Sequence, residues 1–208
     1  MVTTSNLTYA YQNEQTFAFP DVVLNPGEHL LILGPSGVGK TTLLYLMAGL
    51  LPSLKGTISI DGKELNSMTR RELDQFRGEH MGLIFQQYHF IKSLNVADNL
   101  RLRQSFPKNT VDAQRTQELT ERLGLSEHLN KKVTALSQGQ QQRLAIALGL
   151  IHQPKVIFAD EPTSNLDDVN CDKVIELLKE EANICKSSLV IITHDHRIKS
   201  HFQNQIEL

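Results

Sequence analysis

The fold follows most directly from residues 34–41, which read GPSGVGKT. This octapeptide fits the pattern G-x-x-x-x-G-K-[ST]. The apolar run EHLLIL precedes it and the apolar-rich run TLLYLMAGLL follows it, which predicts a buried strand, a glycine-rich turn and a helix. The pattern needs this strand-to-helix context to be a phosphate-binding loop, so the alternative of an ordinary glycine turn is disfavoured.

The residue types in this stretch suit the binding of a nucleoside triphosphate. Its glycines let the backbone turn tightly and point its N–H groups at phosphate oxygens, and the positive end of the following helix adds to the attraction. Lys40 can reach the β- and γ-phosphates, and the Thr41 hydroxyl can bind Mg²⁺. The predicted nucleotide-binding residues here are Gly34, Pro35, Ser36, Gly37, Val38, Gly39, Lys40, Thr41 and Thr42.

A second stretch, VIFADE (156–161), supplies two carboxylates at the end of an apolar strand. Asp160 is predicted to hold Mg²⁺, through water. Glu161 follows directly, and at a strand end, where the chain turns, both side chains can face one site. A carboxylate beside the γ-phosphate can polarise an attacking water, so Glu161 is the candidate general base. The alternative for Glu161 is a solvated acid at a strand end.

Two further polar residues follow apolar strands. Gln86 comes after MGLIF, and His194 comes after SLVIIT. In a parallel sheet the carboxyl ends of the strands share one edge, where ligands bind. We therefore expect Gly34, Gln86, Asp160 and His194 to converge there, although a lone polar residue after a strand is more often an ordinary loop residue.

The rest of the chain alternates buried strands with helices. This predicts an α/β fold with a mostly parallel sheet, in one domain covering 1–208. Residues 88–153 hold helical segments and few β-branched runs, which indicates a helical insertion. A small antiparallel part is expected before residue 30 and is expected to include 56–62, GTISIDG.

Composition narrows the class of protein. The 208 residues carry a formal net charge of −2, which gives no support for nucleic-acid binding through a basic surface. Cys171 and Cys185 match no metal-ligand spacing and indicate a reducing compartment. The N-terminus lacks the pattern of a secretory signal, and the apolar run 43–51 is too short to cross a bilayer. We expect a soluble protein, without room for a C-terminal regulatory domain, whose membrane role depends on a partner.

The motifs together resemble those of the nucleotide-binding subunit of an ABC transporter, in the same order and over nearly all of the chain. GPSGVGKTT resembles the Walker A motif, IFQQ the Q-loop, LSQGQ the signature, VIFADEPTSNLD the Walker B motif and D-loop, THD the H-loop and LTYAY the A-loop. Gln86 then corresponds to the Q-loop glutamine, Asp167 closes the D-loop and His194 is the switch histidine. Tyr11 is the candidate for stacking on adenine, with Tyr9 the weaker one. Within the family the chain is most similar to lipoprotein-releasing, MacB-type and FtsE-like ATPases.

The resemblance implies an ATPase that uses ATP and Mg²⁺ and works as a head-to-tail dimer. Each ATP would lie between the P-loop of one subunit and the signature residues Ser137, Gly139 and Gln140 of the other. Glu161, His194 and Gln86 would be catalytic, Asp167 would contribute to the nucleotide site, and Thr41, Gln86 and Asp160 would hold the metal. The helical insertion would dock on a membrane permease through QYHFIKSLNVADNL (87–100), which would place the subunit on the inner face of the cell membrane.

Alternatives remain at this stage. An FtsE-like ATPase would signal through a membrane partner without moving a solute. A nucleotide kinase or GTPase is disfavoured, because the chain has no N-K-x-D motif.

The signature departs from the usual LSGGQ, since Gln138 replaces its first glycine. If that position needs a positive φ, the change costs about 1 kcal/mol, and if it is an ordinary helix start the cost is small. Ser137 is predicted to cap the helix that follows, which should end before Pro154. For Gln141 and Gln142 the sequence leaves open a role that is no more than solvating the first turn.

Overall fold

The computed structural model describes residues 1–11, 16–108, 111–164 and 166–208, which form ten strands and six α-helices. The strands are β1 (Val2–Tyr9), β2 (Phe17–Ala18), β3 (Val22–Leu24), β4 (His29–Leu33), β5 (Lys55–Ile60), β6 (Lys63–Glu64), β7 (Met81–Ile84), β8 (Val156–Asp160), β9 (Ser188–Thr193) and β10 (Asn204–Glu207). The helices are α1 (Lys40–Met47), α2 (Arg70–His80), α3 (Val96–Lys108), α4 (Ala113–Arg122), α5 (Gln138–Leu150) and α6 (Asp168–Ile184).

A five-stranded parallel sheet forms the centre of the protein, in the order β10-β4-β9-β8-β7. Strands β8 and β9 are buried at every residue, as expected for strands covered on both faces. Successive side chains face opposite sides of the sheet. Ile157 and Ile191 therefore pack with α3–α6, whereas Phe158 and Ile192 pack with α1 and the antiparallel strands.

The strand order places four carboxyl ends side by side at one edge of this sheet. Strands β4, β9, β8 and β7 are neighbours and run in the same direction. The phosphate-binding loop follows β4, His194 follows β9, Asp160 ends β8 and Gln86 lies two residues after β7. The predicted convergence of these segments on one edge is confirmed by the topology.

A second sheet is antiparallel and contains β1, β2, β3, β5 and β6. It covers α1 and the face of the parallel sheet that includes Phe158. The predicted α/β fold, with a mostly parallel sheet and a small antiparallel part that includes 56–62, is confirmed.

Helices α3, α4 and α5 all fall within residues 88–153, where the helical insertion was predicted. Helix α5 packs closely against the parallel sheet. A Cβ placed on Gly82 of β7 would lie only 2.2 Å from the Gly149 carbonyl oxygen of α5. Only glycine at position 82 allows this approach. The assignment of one domain with 88–153 as its helical part remains a prediction.

Candidate active site

The phosphate-binding loop is built around two glycines with positive φ. Gly37 has a φ of 87° and Gly39 a φ of 100°, values that favour glycine over any residue with a Cβ. Gly39 also caps the N-terminus of α1, and a Cβ there would lie 2.9 Å from the Phe17 ring. Both the backbone conformation and the available space therefore require glycine at this position.

Lys40 places a positive charge inside this loop. Its side chain is buried, and its Nζ donates to the carbonyl oxygens of Gly34 and Pro35, at 2.8 and 2.9 Å. The ammonium therefore lies where the N-terminal end of α1 also favours an anion. Val38 lies against Gly34 in the same loop.

Asp160 and Thr41 form a hydrogen-bonded polar pair beside the phosphate-binding loop. The Thr41 hydroxyl donates to Asp160 Oδ1 at 3.4 Å, and Asp160 is buried. Burial raises the pKa of Asp160, the Thr41 hydrogen bond and Lys40 lower it, and the charge of Glu161 raises it. A buried carboxylate of this kind gains from a nearby cation.

Glu161 is held by three donors in a strained turn. Its φ of 49° lies in the left-handed region, which costs free energy for a non-glycine residue and is typical of functional positions. The Thr193 hydroxyl donates to Oε2 at 2.7 Å, and the His194 backbone N–H donates to Oε1 at 3.1 Å. His194 Nδ1 lies 2.8 Å from the same Oε1. The carboxylate is therefore fixed in position but still accessible, at 11% side-chain exposure.

These residues line one cleft of about 380 Å³, within the size range of small-molecule sites. The cleft is lined by Tyr11, Phe17, Ser36, Gly37, Gly39, Lys40, Thr41, Thr42, Gln86, Glu161 and His194. The structure thus brings together the phosphate-binding loop, the candidate base, Gln86 and His194. Asp160 adjoins the cleft through Thr41.

Tyr11 lines the cleft and is 41% exposed. Its hydroxyl is 3.0 Å from Thr42 Oγ1, and its ring meets Tyr9 edge-on at 4.9 Å between centroids. Tyr9 is partly buried against the core. Tyr11 is therefore better placed than Tyr9 to present a ring to a ligand.

The signature residues lie elsewhere on the chain, at the start of α5. The Ser137 hydroxyl accepts from the Gln140 backbone N–H at 3.3 Å, and Gln140 Oε1 accepts from the Ser137 N–H at 3.0 Å. This capping box confirms Ser137 as the N-cap. Gly139 is exposed in the same turn, and none of the three lines the cleft of its own chain. Their contact with a nucleotide remains a prediction that requires a second subunit.

Gln138 is the first residue of α5 and is exposed. It is not among the residues described with positive φ. Of the two alternatives, a position that needs a positive φ and an ordinary helix start, the structure shows the helix start, where a glutamine costs little free energy.

Asp167 caps α6, accepting from the Asn170 backbone N–H at 2.8 Å. It does not line the cleft of its own chain, and its predicted part in a nucleotide site also remains a prediction. The D-loop position 165 lies outside the described residues.

Sequence reasoning missed three residues at or near the site. Phe17 lines the cleft only because β2 pairs with β1, opposite Tyr9, and a two-residue strand leaves no periodic signal. Thr193 reads as one more buried strand residue but donates to Glu161. Gln142 is buried and donates to the Pro162 carbonyl oxygen at 2.6 Å, so for this residue a purely solvating role is wrong.

A larger groove of about 600 Å³ lies between α2, α3 and the segment after β7. It is mostly apolar and is lined by Asp74, Arg77, Gly78, Met81, Leu83, Ile84, Phe85, Tyr88, His89, Phe90, Ile91, Asn99, Leu102, Arg103, Phe106, Ala145 and Leu148. Phe106 is 73% exposed beside it, so the groove offers an unusual apolar surface. In the described part of the chain, no helix has the length and apolar character needed to cross a membrane.

Comparison with known proteins gives consistent results. Residues 20–164 match the family described as ABC transporter. The lipoprotein-releasing system ATP-binding protein LolD of Leptospira interrogans is 33% identical over 208 residues, covering 100% of this chain and 88% of LolD. An ABC transporter ATP-binding protein homologue of Mycoplasma pneumoniae is 39% identical over 178 residues, which cover 86% of this chain. The matched region spans 62% of the Mycoplasma protein, less than two thirds of its length.

Among solved structures, the chain resembles the dimeric structure of MJ0796, a bacterial ABC transporter cassette. The TM-score is 0.89 at 31% identity, covering 100% of this chain and 94% of the cassette. A second structure of that cassette is a dimer in a post-hydrolysis state, bound to ADP and Pi, with the same TM-score.

Proposed function

Since this chain belongs to the ABC transporter family of ATP-binding proteins, we propose that it binds ATP in the 380 Å³ cleft and hydrolyses it to drive a membrane transporter. The observation that carries the proposal is the position of Glu161. Its carboxylate is held by Thr193 and His194 at the end of β8, in the cleft that Lys40 also lines.

In the proposed mechanism, some residues of the cleft bind the nucleotide and one accepts a proton. Lys40 and the first turn of α1 attract the triphosphate and stabilise the negative charge that develops on it. Tyr11 offers its ring to the adenine. Glu161 accepts a proton from the attacking water, whose oxygen bonds to the γ-phosphorus as the bond from that phosphorus to the bridging oxygen breaks. The products are ADP and phosphate.

His194 and Gln86 complete the proposed site at its two sides. His194 Nδ1 and backbone N–H both face Glu161 Oε1, so this histidine orients the base and is placed near the reacting water. Gln86 reaches the cleft from the end of β7, where its amide can bind water or the metal.

The donor set suits Mg²⁺. Thr41 and Asp160 present a hydroxyl and a carboxylate to each other, and hard oxygen donors are what Mg²⁺ prefers. Within the described residues no cluster of three His, Cys, Asp or Glu side chains could hold a metal by itself, so the remaining ligands would be phosphate oxygens, water and Gln86. When bound, Mg²⁺ would neutralise charge on the β- and γ-phosphates.

Two copies of the chain would complete each site. Ser137 and Gly139 lie at a helix N-terminus, a position that binds anions, but their own chain's cleft does not include them. The dimeric state of the similar cassette supports a pair of subunits. In the proposed pair the subunits lie head to tail, so that the signature residues and Asp167 of one subunit approach the ATP of the other.

The apolar groove would receive the membrane partner. Five residues of the segment 87–100 and the exposed Phe106 line it, and a permease segment of apolar character would fit it. The subunit would then lie on the cytoplasmic face of the cell membrane. The reported relative LolD is named for a releasing system, which does not favour the alternative of a purely signalling ATPase.

The proposal is tested by measuring ATP turnover with Mg²⁺ in the wild type and in Glu161→Gln. We expect kcat to fall by about 100-fold or more, because general-base catalysis is lost, whereas the Kd for ATP stays within about threefold. Glu180→Gln, at an exposed glutamate of α6, is the matched control and should retain the wild-type rate. Wild-type turnover by Glu161→Gln would remove Glu161 from the mechanism.

A further inference from the structure

Gln142 connects the first turns of α5 to the turn that carries Glu161. It is 8% exposed, and its Nε2 donates to the carbonyl oxygen of Pro162 at 2.6 Å, a bond buried on both sides. Pro162 is the residue directly after Glu161. We propose that Gln142 is a positioning residue for hydrolysis, which fixes the Glu161 turn relative to the signature helix. This inference rests on the function proposed above.

The backbone of the turn after β8 is tied to β9 by the Glu161 N–H, which donates to the Ile192 carbonyl oxygen at 2.9 Å, and the Thr163 hydroxyl donates to Asp195 Oδ2 at 3.1 Å. Ser164 N–H donates to the Glu161 carbonyl oxygen at 3.1 Å, and Leu166 N–H donates to that of Thr163 at 3.2 Å. Glu161 itself has the unfavourable φ of 49°, and such a conformation persists only where surrounding contacts enforce it. The bond from Gln142 holds the next peptide unit and so helps to keep Glu161 in this conformation.

Helix α5 can transmit a displacement of the signature residues, because Ser137 and Gln142 belong to the same continuous helix. The capping box of Ser137 and Gln140 closes its N-terminus, and Gly149 packs without a gap on Gly82 near its C-terminus. Gln142 lies five residues after Ser137, about 7.5 Å along the helix axis. A shift of Ser137 therefore moves Gln142 with it.

The consequence is a link between two catalytic sites. In the proposed dimer, Ser137 of one subunit contacts the ATP bound by its partner. Through Gln142 that contact acts on the Pro162 peptide, and so on the Glu161 that serves the subunit's own ATP. Removing the amide should leave ATP binding and dimer formation in place but misplace the base.

The test compares Gln142→Met with Gln104→Met. Methionine keeps the length of glutamine and lacks the donor. Gln104 is the matched control, because it is also a buried glutamine whose Nε2 donates to a backbone carbonyl, that of Asp112 at 3.1 Å, but it lies on α3. Gln142→Asn, whose amide is one methylene short of the carbonyl, repeats the test if the methionine variant does not fold.

For Gln142→Met we expect kcat to fall about tenfold with KM for ATP unchanged within about twofold. The ATP-driven dimer affinity, measured in the Glu161→Gln background, should also stay within about twofold. Gln104→Met should keep the wild-type kcat. A kcat unchanged in Gln142→Met, an equal loss in Gln104→Met, or a tenfold weaker dimer would each overturn the proposal. If neither the wild type nor Gln104→Met hydrolyses ATP, the proposed function itself fails, and this outcome is distinct from the others.

Discussion

His152 should make the stability of this protein depend on pH. The imidazole is partly buried, at the residue after α5 and its C-cap, and its Nε2 lies 2.8 Å from Arg103 Nη2. The same Nε2 lies 3.0 Å from the Met81 carbonyl oxygen, so it faces a guanidinium donor and a carbonyl acceptor. Burial, reinforced by the charge of Arg103, lowers the pKa of His152 from 6.5 to about 3. In the unfolded chain the imidazole titrates near its ordinary value.

The sign and size of the effect follow from this difference. Below about pH 6.5 the unfolded chain binds a proton at this residue, whereas the folded protein does not until about pH 3. The free energy of unfolding therefore falls as the pH falls through this window. Between about pH 7.5 and about pH 5 the contribution of this one residue is about 2 kcal/mol.

The assay is urea unfolding at both pH values, for the wild type and for His152→Gln. Glutamine does not titrate, and its side-chain amide offers an acceptor for Arg103 and a donor for the Met81 carbonyl oxygen. We expect the wild type to lose about 2 kcal/mol more than the variant over this pH interval. Taking the difference cancels the contributions of the other titratable groups. Equal losses in the two proteins would refute the argument, since His152 would then titrate alike in the folded and unfolded chains.

Two further outcomes concern the nucleotide and the dimer. Tyr11→Ala should weaken ATP binding more than binding of inorganic triphosphate, since Tyr11 lines the cleft and is exposed; equal effects in a calorimetric titration would remove the stacking role. Gln138→Gly should change the ATP-driven dimer affinity by less than about threefold, because Gln138 is an exposed helix start without a positive φ; a tenfold gain in sedimentation experiments would mean that the side chain hinders the contact.

The family and the fold could be predicted from the sequence because the informative residues are local. The glycines and Lys40 of the phosphate-binding loop lie within eight consecutive residues, between a strand and a helix that are both strongly apolar. The strands that end at Asp160 and before His194 are continuous apolar runs. Because the carboxyl ends of parallel strands share one edge of the sheet, the residues that follow these strands are predicted to lie close together. These predictions, and the similarity to lipoprotein-releasing ATPases, are confirmed.

The remaining features depend on contacts between residues far apart in the chain. Thr193 acquires its role from Glu161, 32 residues away, and Gln142 from a carbonyl 20 residues away. No local pattern marks either contact, since Thr193 continues an apolar strand and Gln142 continues a polar run. Gln138 is the converse case, because a local departure from the usual signature left backbone strain open as an alternative. The structure places Gln138 at an ordinary helix start without a positive φ.

The most direct test of the account is the mass of Glu161→Gln in solution with ATP. Light scattering should give a monomer without nucleotide and a dimer with ATP, because binding and the signature contact remain while turnover is stopped. The Glu161→Gln/Lys40→Ala double variant should stay a monomer in both conditions, since Lys40 supplies the charge inside the phosphate-binding loop. A monomer of Glu161→Gln at saturating ATP would contradict the claim that two chains enclose the nucleotide.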